Sequence, residues 1–230
     1  FIGYFVYSDL KQEELLKKEI VNVSNKDLVK DDFKISVVTS GDYAYVEESI
    51  KKFYLDLSNN VKDLENVLND ENLTNILSID NMSHDGPEFV ESLALVEDTK
   101  KKTNDSMQEI INLCDEKTIL NLLDKEKVDD YYIDFYKEIM YTDSDKKEFE
   151  KTKQQMQDLA VKIDGFLDKV KEMLEFLKVN KGKWQVQDRK LYFDSDALIN
   201  EYNKLYEELQ KQSTELDDLP SDLSGESDSI

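Results

Sequence analysis

Between Asp143 and Asn180 the apolar positions fall as Phe149, Met156, Leu159, Ile163, Phe166, Val170, Met173 and Leu177. From Met156 onward they step by alternating threes and fours, the spacing that lines up one stripe of an α-helix. Ala160, Leu167 and Leu174 recur every seven residues beside that stripe and widen it beyond a two-helix seam. Gly165 interrupts the run at a cost of about 1 kcal/mol, too little to end so periodic a helix. Thr142, Asp143 and Ser144 supply N-terminal caps, and Gly182 stands where a left-handed residue closes the far end. About 38 residues at ~1.5 Å each make a rod of roughly 55 Å. The fold class that follows is all-α: an elongated antiparallel helical bundle around a long 143–180 helix.

The remaining chain repeats the theme with less regularity. Lys11–Ile20 reads as a charged helix with Leu15, Leu16 and Ile20 as its contacts. Residues 21–40 read as a connector, in which the alternation of Phe33–Val37 suggests a short strand. Ser40-Gly41-Asp42 opens a helix carrying Tyr43, Val46, Ile50, Phe53, Leu57, Val61, Leu64 and Leu68. Asp70–Ile79 suggests a short helix, Asn81–Gly86 a loop, and Pro87 the first position of the next helix. That helix is expected to reach Asp115, facing inward through Phe89, Leu93, Val96, Thr103, Met107, Ile110 and Cys114. Lys100 falls on the same stripe, which predicts a thin or open core there. Thr118–Leu123 gives a helical turn, and Val128–Tyr141 a helix rich in aromatics. Past the long helix, Trp184 and Val186 face Phe193 and Leu191 across a turn at Asp188-Arg189, which predicts a small β-hairpin near 184–193. A last helix, capped by Asp194 or Ser195, presents Leu198, Tyr202, Leu205 and Leu209. The stretch 215–230 holds acids and no base among Ser, Pro and Gly, and is expected to be a disordered acidic tail. Residues 21–214 would then form the bundle domain.

The first seven residues, Phe1–Tyr7, are apolar and aromatic and stop abruptly at Ser8. Seven residues cannot span a bilayer, which takes about 20. Clustered Tyr and Phe suit the membrane interface, so residues 1–20 are read as the end of a membrane anchor followed by a juxtamembrane helix. Any contact with lipid bilayer is expected only through such an anchor, upstream of or ending at Phe1–Tyr7.

Charge alters the picture of partners more than of fold. There are 52 acids against 30 bases, a net charge of −22, and a pI near 4.4. Nucleic acid and anionic membrane surfaces would both be repelled, so a charged protein partner is expected to be basic. Six glycines and two prolines suit long helices and leave no phosphate-cradling loop. Scarce Pro and Gly beside abundant Asn, Ile and Tyr suggest a bacterial, low-GC source.

The chain is poorly stocked for catalysis, and no catalytic, cofactor-binding or metal-binding residues are assigned. His84 is the only histidine and reads as an exposed loop residue. Cys114, the only cysteine, lies on an inward stripe next to Asp115 and Glu116, which would raise its pKa. Asp143, Asp145 and Glu150 resemble a fragment of a calcium loop but lack its glycine and its spacing. Asp129 and Asp130 beside Tyr131 and Tyr132 would suit a polar sugar or cation site, or simply an amphipathic helix edge. Four Asn-x-Ser/Thr sequons, at Asn22, Asn72, Asn81 and Asn104, are what an Asn-rich and Ser-rich chain supplies by chance.

In general type these features resemble the helical-bundle sensor and spacer domains of bacterial membrane proteins, a resemblance of architecture carried by no motif. It implies a non-enzymatic, extracytoplasmic helical domain of a membrane-anchored protein, acting as scaffold, sensor or protein-interaction module. The alternatives are a soluble, cytoplasmic acidic interaction protein, a helical toxin or membrane-active protein, and a carboxylate-based hydrolase. The aromatic group Trp184, Tyr192, Phe193, Tyr202 and Tyr206 is the candidate interaction surface.

Overall fold

The computed structural model describes the backbone of residues 2–217 and the side chains of residues 9–216. In order, the elements are α1 (Ile2–Ser24), α2 (Asp42–Leu68), α3 (Glu71–Thr74), α4 (Ile79–His84), α5 (Val90–Leu113), α6 (Glu116–Asn121), α7 (Asp130–Met140), α8 (Asp143–Val179), β1 (Trp184–Gln187), β2 (Lys190–Phe193) and α9 (Asp196–Asp217). The fold is an antiparallel all-α bundle with one two-stranded hairpin.

Helix α8 ends one residue short of the expected Asn180. Its start is a capping box: the Thr142 hydroxyl and backbone N–H both donate to Asp145, and Thr142 Oγ1 accepts from the Asp145 N–H at 3.2 Å. Gly182 lies past the end at φ +80°. Met156, Leu159, Ile163, Val170, Met173 and Leu177 are buried, as are Leu167 and Leu174 beside them. Phe166 is only half-buried, so the centre of the buried face is rotated toward the flanking leucines.

The chain forms two compact units. The first gathers the residues up to Asp63 and Gln108–Met156. Its core holds Leu16, Val23, Phe33, Tyr43, Val46, Ile50, Phe53, Ile119 and Tyr136, with the Tyr136 hydroxyl donating to the Ile119 carbonyl at 3.0 Å. Helix α1 is unbroken to Ser24, so the connector starts later than expected.

No strand forms over Phe33–Val37. Instead Ser36 N–H donates back to Lys34 carbonyl, and the connector lies along one face of α2. Glu47, Lys51, Tyr54, Ser58 and Lys62 step by threes and fours along that face and meet the connector in turn. Glu47 accepts from the backbone of Val38 and Thr39, and Lys51 donates to the Ser36 carbonyl at 2.6 Å. Tyr54 stacks on Phe33, Ser58 donates to the Leu28 carbonyl, and Lys62 to that of Asp31. A strand's backbone groups seek a neighbouring strand; here side chains of a helix satisfy them.

The second unit gathers Leu64–Met107 and the described residues from Gln157 onward. Within it α5 and α8 run antiparallel. Glu97, Lys100 and Asn104 on α5 meet Lys171, Asp168 and Asp164 on α8, the numbers falling as fast as they rise. Lys100 therefore sits at the helix edge, paired with Asp168 at 2.7 Å, and does not thin the core as expected. Small hydroxyl side chains share the inward positions of α5 with apolar ones: Ser92, Thr99, Thr103 and Ser106 are buried, as are Val96 and Met107.

The expected boundaries before α5 are corrected. Asn81–His84 is helical, as part of α4, because Ser78 Oγ caps the N–H of Asn81 at 3.1 Å. Pro87 does not open α5; it follows a cis peptide bond after Gly86. The helix begins at Val90 because Phe89 is at φ +50°, outside helical space. The single short helix expected over Asp70–Ile79 is instead α3, capped by Asp70, followed by turns. At the other end α9 runs through Asp217, so residues 215–217 of the expected tail are helical. The remainder of that tail, like Phe1, lies outside the described residues.

Candidate functional site

The hairpin forms in the expected register, Trp184 opposite Phe193 and Val186 opposite Leu191. Its two-residue turn places both Asp188 and Arg189 at positive φ, 50° and 58°, the geometry that matches strand twist but is unfavourable for side chains other than Gly, Asn and Asp. Strand pleat then decides the fate of the aromatic group. Trp184 and Phe193 share the inward face; Tyr192, one residue over, points away and is 45% exposed.

The inward residues part company. Trp184 lies on the α4–α5 junction, stacked on Phe89 with centroids 6.0 Å apart, and its Nε1 donates to the Leu177 carbonyl at 2.6 Å. That carbonyl is among the last four of α8, which lack an intrahelical partner, so the indole acts as a cap. Gly86 sits under the ring: an added Cβ would come 3.0 Å from Trp184 and 2.3 Å from the Met82 carbonyl. Phe193 goes to α9, with Tyr202 at 5.3 Å and Phe176 at 6.2 Å. Tyr206, a turn beyond Tyr202, is 44% exposed. Thus Phe193 and Tyr202 meet, Trp184 is committed to sealing α8, and Tyr192 and Tyr206 offer exposed rings.

Asp85 holds the entry to α5. Its carboxylate accepts from the backbone N–H groups of Glu91 and Ser92, at 3.2 and 2.7 Å. Burial pushes its pKa up, but these bonds from Ser92 and Glu91, with His84 nearby, outweigh it and hold the carboxyl below its usual range. His84 is exposed, as expected, though it ends α4 and does not lie in a loop.

The most buried charges escape notice in the sequence. Glu47 is 1% exposed and Lys51 7%. Lys51 Nζ donates to Glu47 at 2.6 Å and to Glu19 of α1 at 2.5 Å. Glu47 is also met by the Thr39 hydroxyl at 2.7 Å and the backbone of Val38 and Thr39. Burial pushes the Glu47 carboxyl up, yet Lys51, Thr39 and the backbone donors hold it below its ordinary value. Burial likewise pushes Lys51 down, while Glu19 and Glu47 carry it above the usual lysine value. Every acceptor lobe is filled by a donor, which is the arrangement of a fixed ion pair rather than of a proton-transfer pair. The one available signal was an i,i+4 Glu–Lys pair beside an apolar stripe, indistinguishable in sequence from a surface pair.

Cys114 is buried, and desolvation pushes its thiol up to about 11, with Lys153 opposing and Asp115 and Glu150 adding to the rise. Asp143 and Asp145 open α8, Asp145 within the capping box. Among the described residues no group of three or more His, Cys, Asp or Glu is placed to hold a metal ion. No described helix is long and apolar enough to cross a membrane. Of the sequons, Asn81 donates to the Ile76 carbonyl and Ser92, and Asn104 to Asp164.

Asp129 and Asp130 mark the start of α7. The Asp129 side chain makes no capping bond, and its N–H donates to Asp42 at 3.4 Å. Behind them Tyr131, Tyr132, Phe135 and Tyr43 pack as one aromatic group. Compared with known protein families, curated proteins and solved structures, the chain has no significant match.

Proposed function

We propose that this is a non-catalytic protein-interaction domain, held at a membrane by a helix that α1 continues and displayed outside the cytoplasm as a scaffold or sensor. The observation that carries it is continuity. The apolar residues Ile2–Tyr7 and the charged face of Lys11–Ile20 belong to one unbroken helix, which is how a membrane-embedded segment passes into a water-exposed domain. Exposed aromatic rings, at Tyr131 in the first unit and at Tyr192 and Tyr206 in the second, support contact with protein, since aromatic side chains are enriched at such contacts. The acidic charge favours a basic partner.

The test is fractionation of the native protein in its source cell. Sedimentation with membranes that resists a carbonate wash, together with loss of the domain when protease is added to intact cells, is the expected result. Recovery in the soluble fraction would replace this reading with that of an acidic cytoplasmic interaction protein.

A further inference from the structure

We infer that the aromatic group at the start of α7 is a docking site for an arginine-bearing segment of a basic protein partner. Tyr131 stands outermost, 58% exposed. Its ring lies parallel to Phe135 at 6.1 Å and edge-on to Tyr132 at 5.1 Å. Beneath them Tyr43 meets Tyr132 edge-on at 4.9 Å and Phe135 at 5.9 Å. Four rings thus brace one another, and Tyr131 is the one that presents its face to the outside.

Carboxylates lie near these rings. Asp9 and Glu13 of α1 act on Tyr43, and Asp9 and Asp42 act on Tyr132. Asp129 and Asp130 precede the rings in the chain. Of these acids Glu13 is paired with Lys17 at 2.5 Å, Asp9 accepts from the Tyr132 hydroxyl, and Asp42 accepts from the Asp129 N–H at 3.4 Å, which leaves Asp9 and Asp42 without a cationic partner among the described residues. A second observation points to a ligand. The Tyr43 hydroxyl, on a residue 2% exposed, has no hydrogen-bond partner among the described residues, while Asp9, Tyr132, Tyr131 and Glu13 are the groups around it. This phenol is left with both its donor and its acceptor role unfilled, which is costly in a buried group unless something bound at the edge of the ring group reaches it.

A face of rings bordered by carboxylates recognises an organic cation: the ring face attracts the charge and the carboxylates take its N–H groups. Guanidinium fits better than ammonium, because its plane stacks on Tyr131 while its edge donates to Asp9 or Asp42. Two copies of a chain of net charge −22 repel each other, and nucleic acid is repelled likewise, so the cation belongs to a basic protein.

This rests on the interaction-domain reading but is tested apart from membrane attachment, so fractionation and peptide binding can fail independently. The 230-residue chain, labelled on its tyrosine rings, is titrated by NMR with the peptide Gly-Arg-Gly-Gly-Arg-Gly and with its lysine and glutamate counterparts. Tyr131 and Tyr132 resonances are expected to move, more at a given concentration with arginine than with lysine, and not with glutamate. Tyr131→Ala should weaken binding about threefold to tenfold, and Asp9→Asn should weaken it as well. Glu201→Gln, at an exposed acid on α9, should change nothing. Absence of binding at millimolar peptide, or an unaltered affinity in Tyr131→Ala, overturns the proposal. So does equal weakening by Asp9→Asn and Glu201→Gln, which would mean diffuse attraction to an acidic chain.

Discussion

Glu47 and Lys51, one turn apart on α2, form an ion pair that is almost wholly buried, and both residues also hold the backbone of the connector between α1 and α2. The pair joins three elements, since Lys51 also reaches Glu19 on α1. Desolvating both charges is expensive, so their net worth lies in fixing where the connector runs.

Removing one partner should therefore leave the other charge buried and unpaired, so the losses from the two removals should not add. Lys51→Met leaves a buried carboxylate beside backbone donors and should lose about 3 kcal/mol or more of stability in urea denaturation. The double variant Glu47→Gln, Lys51→Met should be less destabilised than the sum of the single ones. Additive losses would show that the two charges act separately.

The same pair sets a pH window. Glu47 has a lowered pKa in the folded chain, so its contribution is present above the unfolded value of about 4.3 and is lost as pH falls through the lower folded one. Lys51 has a raised pKa, so its contribution is present below about 10.4 and is lost as pH rises through the folded value. In Lys51→Met, melting temperature measured against pH should lose the alkaline descent that belongs to this lysine.

The α8 face predicts a contrast between inward and outward residues of the same helix. Leu174→Ala, at a position 0% exposed, should cost about 2–5 kcal/mol. Val161→Asp, at a position 73% exposed, should stay within about 0.5 kcal/mol of the parent. Equal effects in chemical denaturation would mean that the buried face is wrongly placed.

At the hairpin turn, Arg189→Gly should stabilise by about 0.5–1 kcal/mol, because φ +58° suits glycine better than arginine. The lost ion pair to Asp80 is exposed on both sides and offsets little of this. A lower midpoint in thermal melting would show that the pair outweighs the backbone.

Cys114 should be inert in the folded chain. With its thiol raised to about 11 and its side chain buried, reaction with a disulfide reagent at about pH 8 should be slow, and should become fast in denaturant. Equally fast reaction in both states would place the thiol at the surface.

The elements legible in sequence are those whose evidence is local. The three-and-four stepping from Met156 to Leu177 marks α8 because a helix brings those side chains to one side whatever lies opposite. The pairing of Trp184 with Phe193 follows from a two-residue turn and the pleat alone. Even so, alternation decided only that Tyr192 and Phe193 face opposite ways; that Trp184 would seal the end of α8 needed Gly86, Phe89 and Leu177 brought together from distant parts of the chain. The connector shows the limit most clearly. Phe33–Val37 has the alternation of a strand, but Lys51 on α2 takes its Ser36 carbonyl and Glu47 takes the Val38 and Thr39 N–H groups just beyond it, and no local pattern announces which side chain will capture a backbone group. Lys100 teaches the same lesson: its place on an apolar stripe suggested a thin core until Asp168 on α8 drew it to the edge. Periodicity decides which face of an element is buried, because that depends on backbone geometry within a few residues. Tertiary structure decides what each polar group on that face meets, because hydrogen bonds act over ~3 Å between residues far apart in the chain.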